Sequence, residues 1–304
     1  MNTIYYDPSV SDDLRRQMLY QGQLFVYAPR PSTIEFCKFA RQLIEEAFEG
    51  LDPRSAQDHL SVEKYAQILG ELKPKFIYHP QSKASIQALL REMGCDAEKT
   101  YFDVPRMRSS TSRGYLTSGI AYAWHPHRDT WYSAPSCQIN YWIPIYDITS
   151  DNVMAFHPRY WAQAVRNDSA QYDYEEWNKH HRYAACSVYQ ERPPASSAHH
   201  GTMDLDTHVR LICPSGGIVL FSGAQMHSSV PNTSGYTRFS IDFRTVHLDD
   251  VMAFLGAPNI DAACTGTTMN DYLRGNDLEH VPQEIVTRYR ERAQQTDSLP
   301  GSSR

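Results

Sequence analysis

Residues able to bind a transition metal occur in this chain at separations that carry geometric meaning. The segment WHPHRDTW places His127 and Asp129 two residues apart, and on a strand such a pair projects from one face. An imidazole and a carboxylate so placed supply two corners of a metal site. His227, in the strand-like stretch GIVLFSGAQMHSSVPN after a glycine turn, is the candidate for the third. Two imidazoles and one carboxylate grouped on one side of an ion leave its other positions open to small ligands. Arg238 follows 11 residues after His227, with Ser240 next but one. In TRFSIDFR the alternation puts Arg238, Ser240, Asp242 and Arg244 on one face and Phe239, Ile241 and Phe243 on the other. Arg238 and Ser240 therefore enter one cavity, where a guanidinium fork beside a hydroxyl suits a bidentate carboxylate.

Strands must position these groups, and the patterning supplies them. From about Tyr101 the hydrophobic period is alternating, through YFDVPRMR, GIAYAW, CQINYWIPI, VMAF, VRLIC, GIVLFS, QMHSSV and TRFSIDFR. About eight short strands predict a closed or double-sheet β architecture. In CQINYWIPI, Ile139, Tyr141, Ile143 and Ile145 make an apolar face, while Gln138, Asn140 and Trp142 make a mixed one expected to line the cavity. Ahead of this region, QLFVYAP (Gln23 to Pro29) reads as a strand. A helix follows, with Ser32 and Glu35 at capping-box spacing and an apolar face running to Gly50. Further helices are predicted over Val62 to Leu72 and Ser85 to Met93, the latter closed by Gly94. A polar, aromatic-rich insert runs from about His157 to His208 and contains Arg166, Tyr172, Tyr174, Trp177 and ERPPASSAHHG. Long loops in compact domains are often functional, so a lid and a fixed surface excursion are the two expectations for it. A short helix around Met269 to Leu273 and a charged one from Gln283 to about Ala293 complete the chain.

Composition narrows the class. The chain has 304 residues, with 29 Lys+Arg against 35 Asp+Glu and a formal charge of −6. That balance, without a basic run, argues against a nucleic-acid binder that relies on neutralising phosphates. With 41% hydrophobic and 12% aromatic residues the chain can bury a sizeable core. No apolar stretch approaches the roughly 20 residues of a membrane span, and MNTIYYDPSV lacks the order of a secretory signal, so a cytoplasmic protein is expected. The six cysteines form no C-x-x-C pair and read as buried thiols in a reducing compartment. One domain is expected over 1–304: helical and strand support over 1–100, a β core over 101–250, and a helical extension over 251–304.

H-x-D, a distant H, and R-x-S about ten residues later resemble the pattern of the Fe(II)/2-oxoglutarate-dependent dioxygenases, and most closely their phytanoyl-CoA dioxygenase-like branch. HRDTWYSAPSCQINYWIPIYDITSDNVMAFHPRYW resembles that branch's run from the metal motif through a strand to an acidic turn. GGIVLFSGAQMHSSVPN resembles its run through the distal histidine to P-N. The likeness covers roughly Tyr101 to Thr245. Asn152-Val153 stands where the family often has Asn-Gly, and HPRYW replaces the usual P-G-S-H. The resemblance implies a mainly β fold with flanking helices around a double-stranded β-helix (jelly-roll or cupin-like) core. It implies Fe(II) held by His127, Asp129 and His227, 2-oxoglutarate bound by Arg238 and Ser240, and dioxygen as oxidant. Gln138 or Asn140 is a further expected contact to the cosubstrate.

Two other classes stay open. His125 and His127 form H-x-H with Gly119 before them, as in a cupin's first metal motif, but Thr130 to Tyr132 occupy the place of the glutamate a cupin needs. A cupin-type isomerase or a 2-oxoglutarate-independent dioxygenase would leave Arg238 without a role, and a binding protein on the same barrel would not turn over. Tyr122, Trp131, Arg108 and Arg166 are candidate contacts to a small-molecule substrate, with core packing or surface ion pairing as the competing roles. No nucleic-acid or membrane partner is expected, and a homodimer is left open.

Overall fold

A computed structural model describes residues 3–117, 119–121, 125–180 and 203–297. The N-terminal part forms β1 (Ile4–Tyr6), α1 (Asp12–Tyr20), β2 (Leu24–Tyr27), α2 (Pro31–Ala47), α3 (Val62–Tyr78) and α4 (Pro80–Glu92). The central part forms β3 (Thr100–Phe102), β4 (Arg106–Ser110), β5 (Ile139–Pro144), β6 (Met154–Phe156), α5 (Tyr174–His180), β7 (Val209–Arg210), β8 (Ile218–Ser222), β9 (His227–Ser229) and β10 (Arg238–His247). It ends with α6 (Leu248–Ala253), β11 (Leu273–Arg274) and α7 (Gln283–Asp297). No helix among the described residues is long and apolar enough to cross a membrane.

Two sheets face each other. The larger runs β1-β2-β8-β5-β10-β3-β11, with β4 also paired to β10, and the smaller runs β7-β6-β9. His127 extends the smaller sheet by an antiparallel bridge to His227. The core order β4-β10-β5-β8 opposite His127-β9-β6-β7, antiparallel throughout, is a double-stranded β-helix, as the motif resemblance implied.

The alternation seen in the sequence separates two cores. Ile139, Tyr141, Ile143, Phe239, Ile241 and Phe243 face outward into a cluster shared with the helices. The helices bring Phe36, Leu43, Tyr65, Leu69 and Leu89 to it. Trp142, Val219 and Phe221 face inward and meet Met154 and Phe156 of the smaller sheet. Fully buried apolar side chains stabilise a fold by about 1.5–3 kcal/mol each, so the helices' main contribution is to bury the sheet's outer face.

Several local expectations are corrected. The first long helix starts at Pro31, not at a Ser32 cap. Its entry is fixed by the Arg30 backbone N–H donating to Thr33 Oγ1, while Ser32 N donates to Glu92. The helix predicted to Leu72 continues through Pro74 to Tyr78, because Phe76 is fully buried and stacks on Phe36 at 5.8 Å. YFDVPRMR splits into β3 and β4 around Pro105, which has no N–H for a ladder. Gly119–Ala121 is a 3-10 turn where GIAYAW was expected to be a strand. Ser11, capping α1 through Leu14 N, begins a helix that periodicity did not reveal.

Candidate metal centre

His127 and His227 exchange both backbone hydrogen bonds at 3.0 Å, which puts their side chains on one face with ring centroids 4.3 Å apart. Asp129 follows two residues on, its backbone N–H donating to Gly223 O at 2.8 Å. Asp129 Oδ1 then lies 3.6 Å from His127 Nε2 and 4.0 Å from His227 Nε2, and all three side chains are buried. These are the residues that can hold a metal ion among those described.

The protonation states suit that role. His127 Nδ1 faces the His125 carbonyl at 2.8 Å and His227 Nδ1 faces the Gln225 carbonyl at 2.9 Å. A carbonyl only accepts, so each Nδ1 carries a proton and each Nε2 is the ring nitrogen turned toward Asp129. Burial, reinforced by His127, pushes the His227 pKa down to about 3, leaving it neutral at neutral pH. Burial alone would raise the Asp129 pKa, but the Arg244 guanidinium nearby holds it well below the usual carboxylate range. Two imidazole nitrogens and one carboxylate oxygen form a donor set that fits a divalent transition metal.

The second oxygen of Asp129 is held separately. Oδ2 accepts from Gln138 Nε2 at 2.8 Å and from Asn140 Nδ2 at 2.7 Å, with Arg244 Nε at 3.6 Å. Gln138 Nε2 also donates to Asn140 Oδ1 at 2.8 Å, and the Tyr272 hydroxyl donates to Gln138 Oε1 at 2.8 Å. The mixed face of β5 thus reaches the metal centre by way of the aspartate. Gly223 makes room for this: a Cβ there would sit 3.0 Å from Gln138 Nε2.

Arg238 and Ser240 share the inner face of β10. Both are buried, and Arg238 Nε and Ser240 Oγ have no hydrogen-bond partner. Arg238 donates from one terminal nitrogen to Asn152 O at 2.9 Å and lies over the Trp142 ring at 5.5 Å. Burial, with Arg108 nearby, lowers its pKa to about 10. Buried polar atoms left unmatched cost on the order of 1–3 kcal/mol each, so Arg238 Nε and Ser240 Oγ are available to an anionic ligand.

The remaining candidates are distributed as follows. Arg108 is bidentate on Asp242, at 2.7 and 3.3 Å. Trp131 is fully buried with its indole N–H on Asp261 at 2.7 Å, packed against Tyr160, Val165 and Met226, and has no surface to offer a substrate. Arg166 is exposed on the insert. Tyr122 lies outside the described residues, as do 181–202 with ERPPASSAHHG.

Residues that motif spacing did not single out complete the centre. Arg128, between two ligands, points away from them and is 1% exposed. It donates to the carbonyls of Ala224, Tyr160 and Gln163 and to Asp261. Asp261 also accepts from Val165 N at 2.9 Å. The first part of the insert is tied to the same segment, by the Asp173–Thr265 bridge and by Ala263 N donating to Ser169 Oγ. The H in H-R-D drew attention, and the R did not, because an arginine's partners cannot be read from local spacing.

No protein-family model and no curated protein matches the chain. Similar solved structures include the non-haem alpha-ketoglutarate-dependent carbocyclase SnoK from nogalamycin biosynthesis, at 14% identity and a TM-score of 0.40 over 79% of this chain and 85% of that one. EvdO2 from Micromonospora carbonacea var. aurantiaca matches at 14% identity and a TM-score of 0.47, over 79% and 92%. The non-haem monooxygenase ThoJ matches at 15% and 0.39, over 89% and 93%.

Proposed function

We propose that this chain is an Fe(II)/2-oxoglutarate-dependent oxygenase, of the phytanoyl-CoA dioxygenase-like kind, that hydroxylates or otherwise oxidises an unactivated C–H bond of a small-molecule metabolite in the cytoplasm. The observation that carries this is one barrel holding both the converged donors of His127, Asp129 and His227 and the unmatched Arg238 Nε and Ser240 Oγ. The triad is the set that would hold Fe(II), and Arg238 with Ser240 the pair that would take the far carboxylate of 2-oxoglutarate. Bound iron with 2-oxoglutarate and dioxygen supplies the oxidation, in which the cosubstrate is decarboxylated to succinate as the substrate C–H bond is oxidised.

The chain's own residues bind and orient. Neutral His227 offers Nε2 without first losing a proton, and the Asp129 carboxyl is held in its ionised form. Gln138 and Asn140 occupy Asp129 Oδ2, which leaves Oδ1 turned to the histidines. Trp142, Val219, Phe221 and Phe156 make the space between the sheets apolar, strengthening each polar contact within it and keeping water out. A cupin-type enzyme working without 2-oxoglutarate would need the triad and leave Arg238 and Ser240 unused.

The test is succinate formation from 2-oxoglutarate with added Fe(II), alone and with candidate metabolites. Metal-dependent succinate, lost in His127→Ala, Asp129→Ala and His227→Ala with the circular dichroism unchanged, is expected. Arg238→Ala is expected to raise the KM for 2-oxoglutarate by about 10-fold or more, the worth of a charge-assisted pair, at near-normal metal content. Succinate formation that survives loss of the triad, or a KM that Arg238→Ala leaves unchanged, would overturn the assignment.

A further inference from the structure

Charge on the inner face of β4 and β10 does not balance. The register pairs Asp242 with Arg106 and Ser240 with Arg108, and cross-strand partners share a face. Arg106, Arg108 and Arg244 therefore meet on the barrel's inner side, where the carboxylates among the described residues are Asp103, Asp242 and the metal-facing Asp129. Arg108 takes Asp242. Arg106 and Arg244 share Asp103 Oδ2, at 2.5 and 3.1 Å. Asp103 is 3% exposed on its side chain, yet the two arginine side chains on it keep 21% and 23% of theirs open. In the free protein Asp129 offsets part of this excess, with Arg244 Nε 3.6 Å from its Oδ2. Once Asp129 serves a divalent ion and Arg238 holds the cosubstrate's far carboxylate, one positive charge beside the metal centre has no counterpart.

We infer that Arg106 and Arg244, splayed on Asp103, form the subsite that recognises an anionic group, a carboxylate or a phosphoryl group, on the oxidised substrate. The inference rests on the oxygenase reading and names the substrate class that reading leaves open. Arg244 touches the metal-binding aspartate, so an anion on its open edge sets its own molecule against the metal centre. Asp103 has a positioning role: it holds two like charges together, which without a ligand would repel. Guanidinium forks suit either anion, because both present two oxygens in a plane. In a chain of net charge −6, a local cationic surplus at a buried site also attracts an anion selectively to that place.

Protein loaded with Co(II) and 2-oxoglutarate under nitrogen tests this, with occupancy of both read first from the cobalt visible spectrum. The loaded protein is titrated calorimetrically with inorganic phosphate, with benzoate and with benzamide as the neutral match. Phosphate or benzoate is expected to bind about 10-fold or more tightly than benzamide, a difference typical of one charge-assisted contact, and the stronger of the two tells which anion the subsite prefers. Arg106→Gln is expected to abolish that preference while cobalt and 2-oxoglutarate still bind. Arg106→Lys, which keeps the charge but not the planar fork, is expected to weaken anion binding and serves if Arg106→Gln does not fold. Anions bound no better than benzamide, or a preference that survives Arg106→Gln or keeps its full strength in Arg106→Lys, would overturn the subsite alone. Failure of cobalt or 2-oxoglutarate to bind would overturn the oxygenase reading and this inference with it.

Discussion

At the scale of the residue, Asp129 divides its two oxygens between two tasks. Oδ1 faces the imidazoles and Oδ2 is held by the Gln138 and Asn140 amides. A carboxamide can flip, and it is the Tyr272 hydroxyl, donating to Gln138 Oε1, that keeps Nε2 turned to the aspartate. Tyr272→Phe is therefore expected to weaken Co(II) binding about 10-fold, at the low end of the range for partners of metal ligands, and to shift the cobalt d–d bands. Its effect on the KM for 2-oxoglutarate should be small by comparison, because Arg238 and Ser240 are untouched. Unaltered cobalt affinity and spectrum would show that Gln138 keeps its orientation without the tyrosine.

The elements around the centre are joined through one aspartate. Asp261 receives Arg128 from the metal loop, the Trp131 indole, and Val165 N from the insert. The stretch from His157 to His180 is thereby anchored beside the ligands, with Tyr160, Val165, Tyr172 and Tyr174 buried. Removing one partner of a buried ion pair costs on the order of 3–5 kcal/mol, since the other charge stays buried. Asp261→Ala is expected to lower the Tm by several degrees and to open the segment around Val165 to proteases before the rest of the chain unfolds. Cleavage confined to the same bonds at the same rate as in the native chain would refute the anchoring role.

On the scale of the whole molecule, stability should depend on pH through buried imidazoles. Burial, with His208 adding to it, lowers the His157 pKa to about 4, and burial lowers that of His227 to about 3, against an ordinary 6.5. Between these values the unfolded chain holds more protons than the folded one, so stability rises with pH in that window and is lost as pH falls from 6.5 toward 4. His157 alone is worth on the order of 3 kcal/mol across it. The metal-free protein is expected to show a level Tm above about pH 7 and a steep fall below 6.5, read by circular dichroism. A Tm unchanged between pH 7 and pH 5 would mean that these rings take up protons in the folded state.

The sequence alone determined what depends on residue type and on spacing along one strand: His127 with Asp129, Arg238 with Ser240, the outward Ile139, Tyr141 and Ile143, and the alternation that makes a β barrel. Extended backbone fixes these, because side chains flanking an extended residue share a face, as they do across Arg128 although Asp129 itself opens a 3-10 turn. Tertiary structure decided the rest, because pairing across the barrel depends on register, and register is set by packing distant segments together. Hence the contacts of Gln138 and Asn140 to Asp129, and of Arg108 to Asp242, could not be read from spacing along the chain. Tyr272 and Asp261 enter the centre from a segment more than a hundred residues beyond the metal motif, and only the folded chain brings them there.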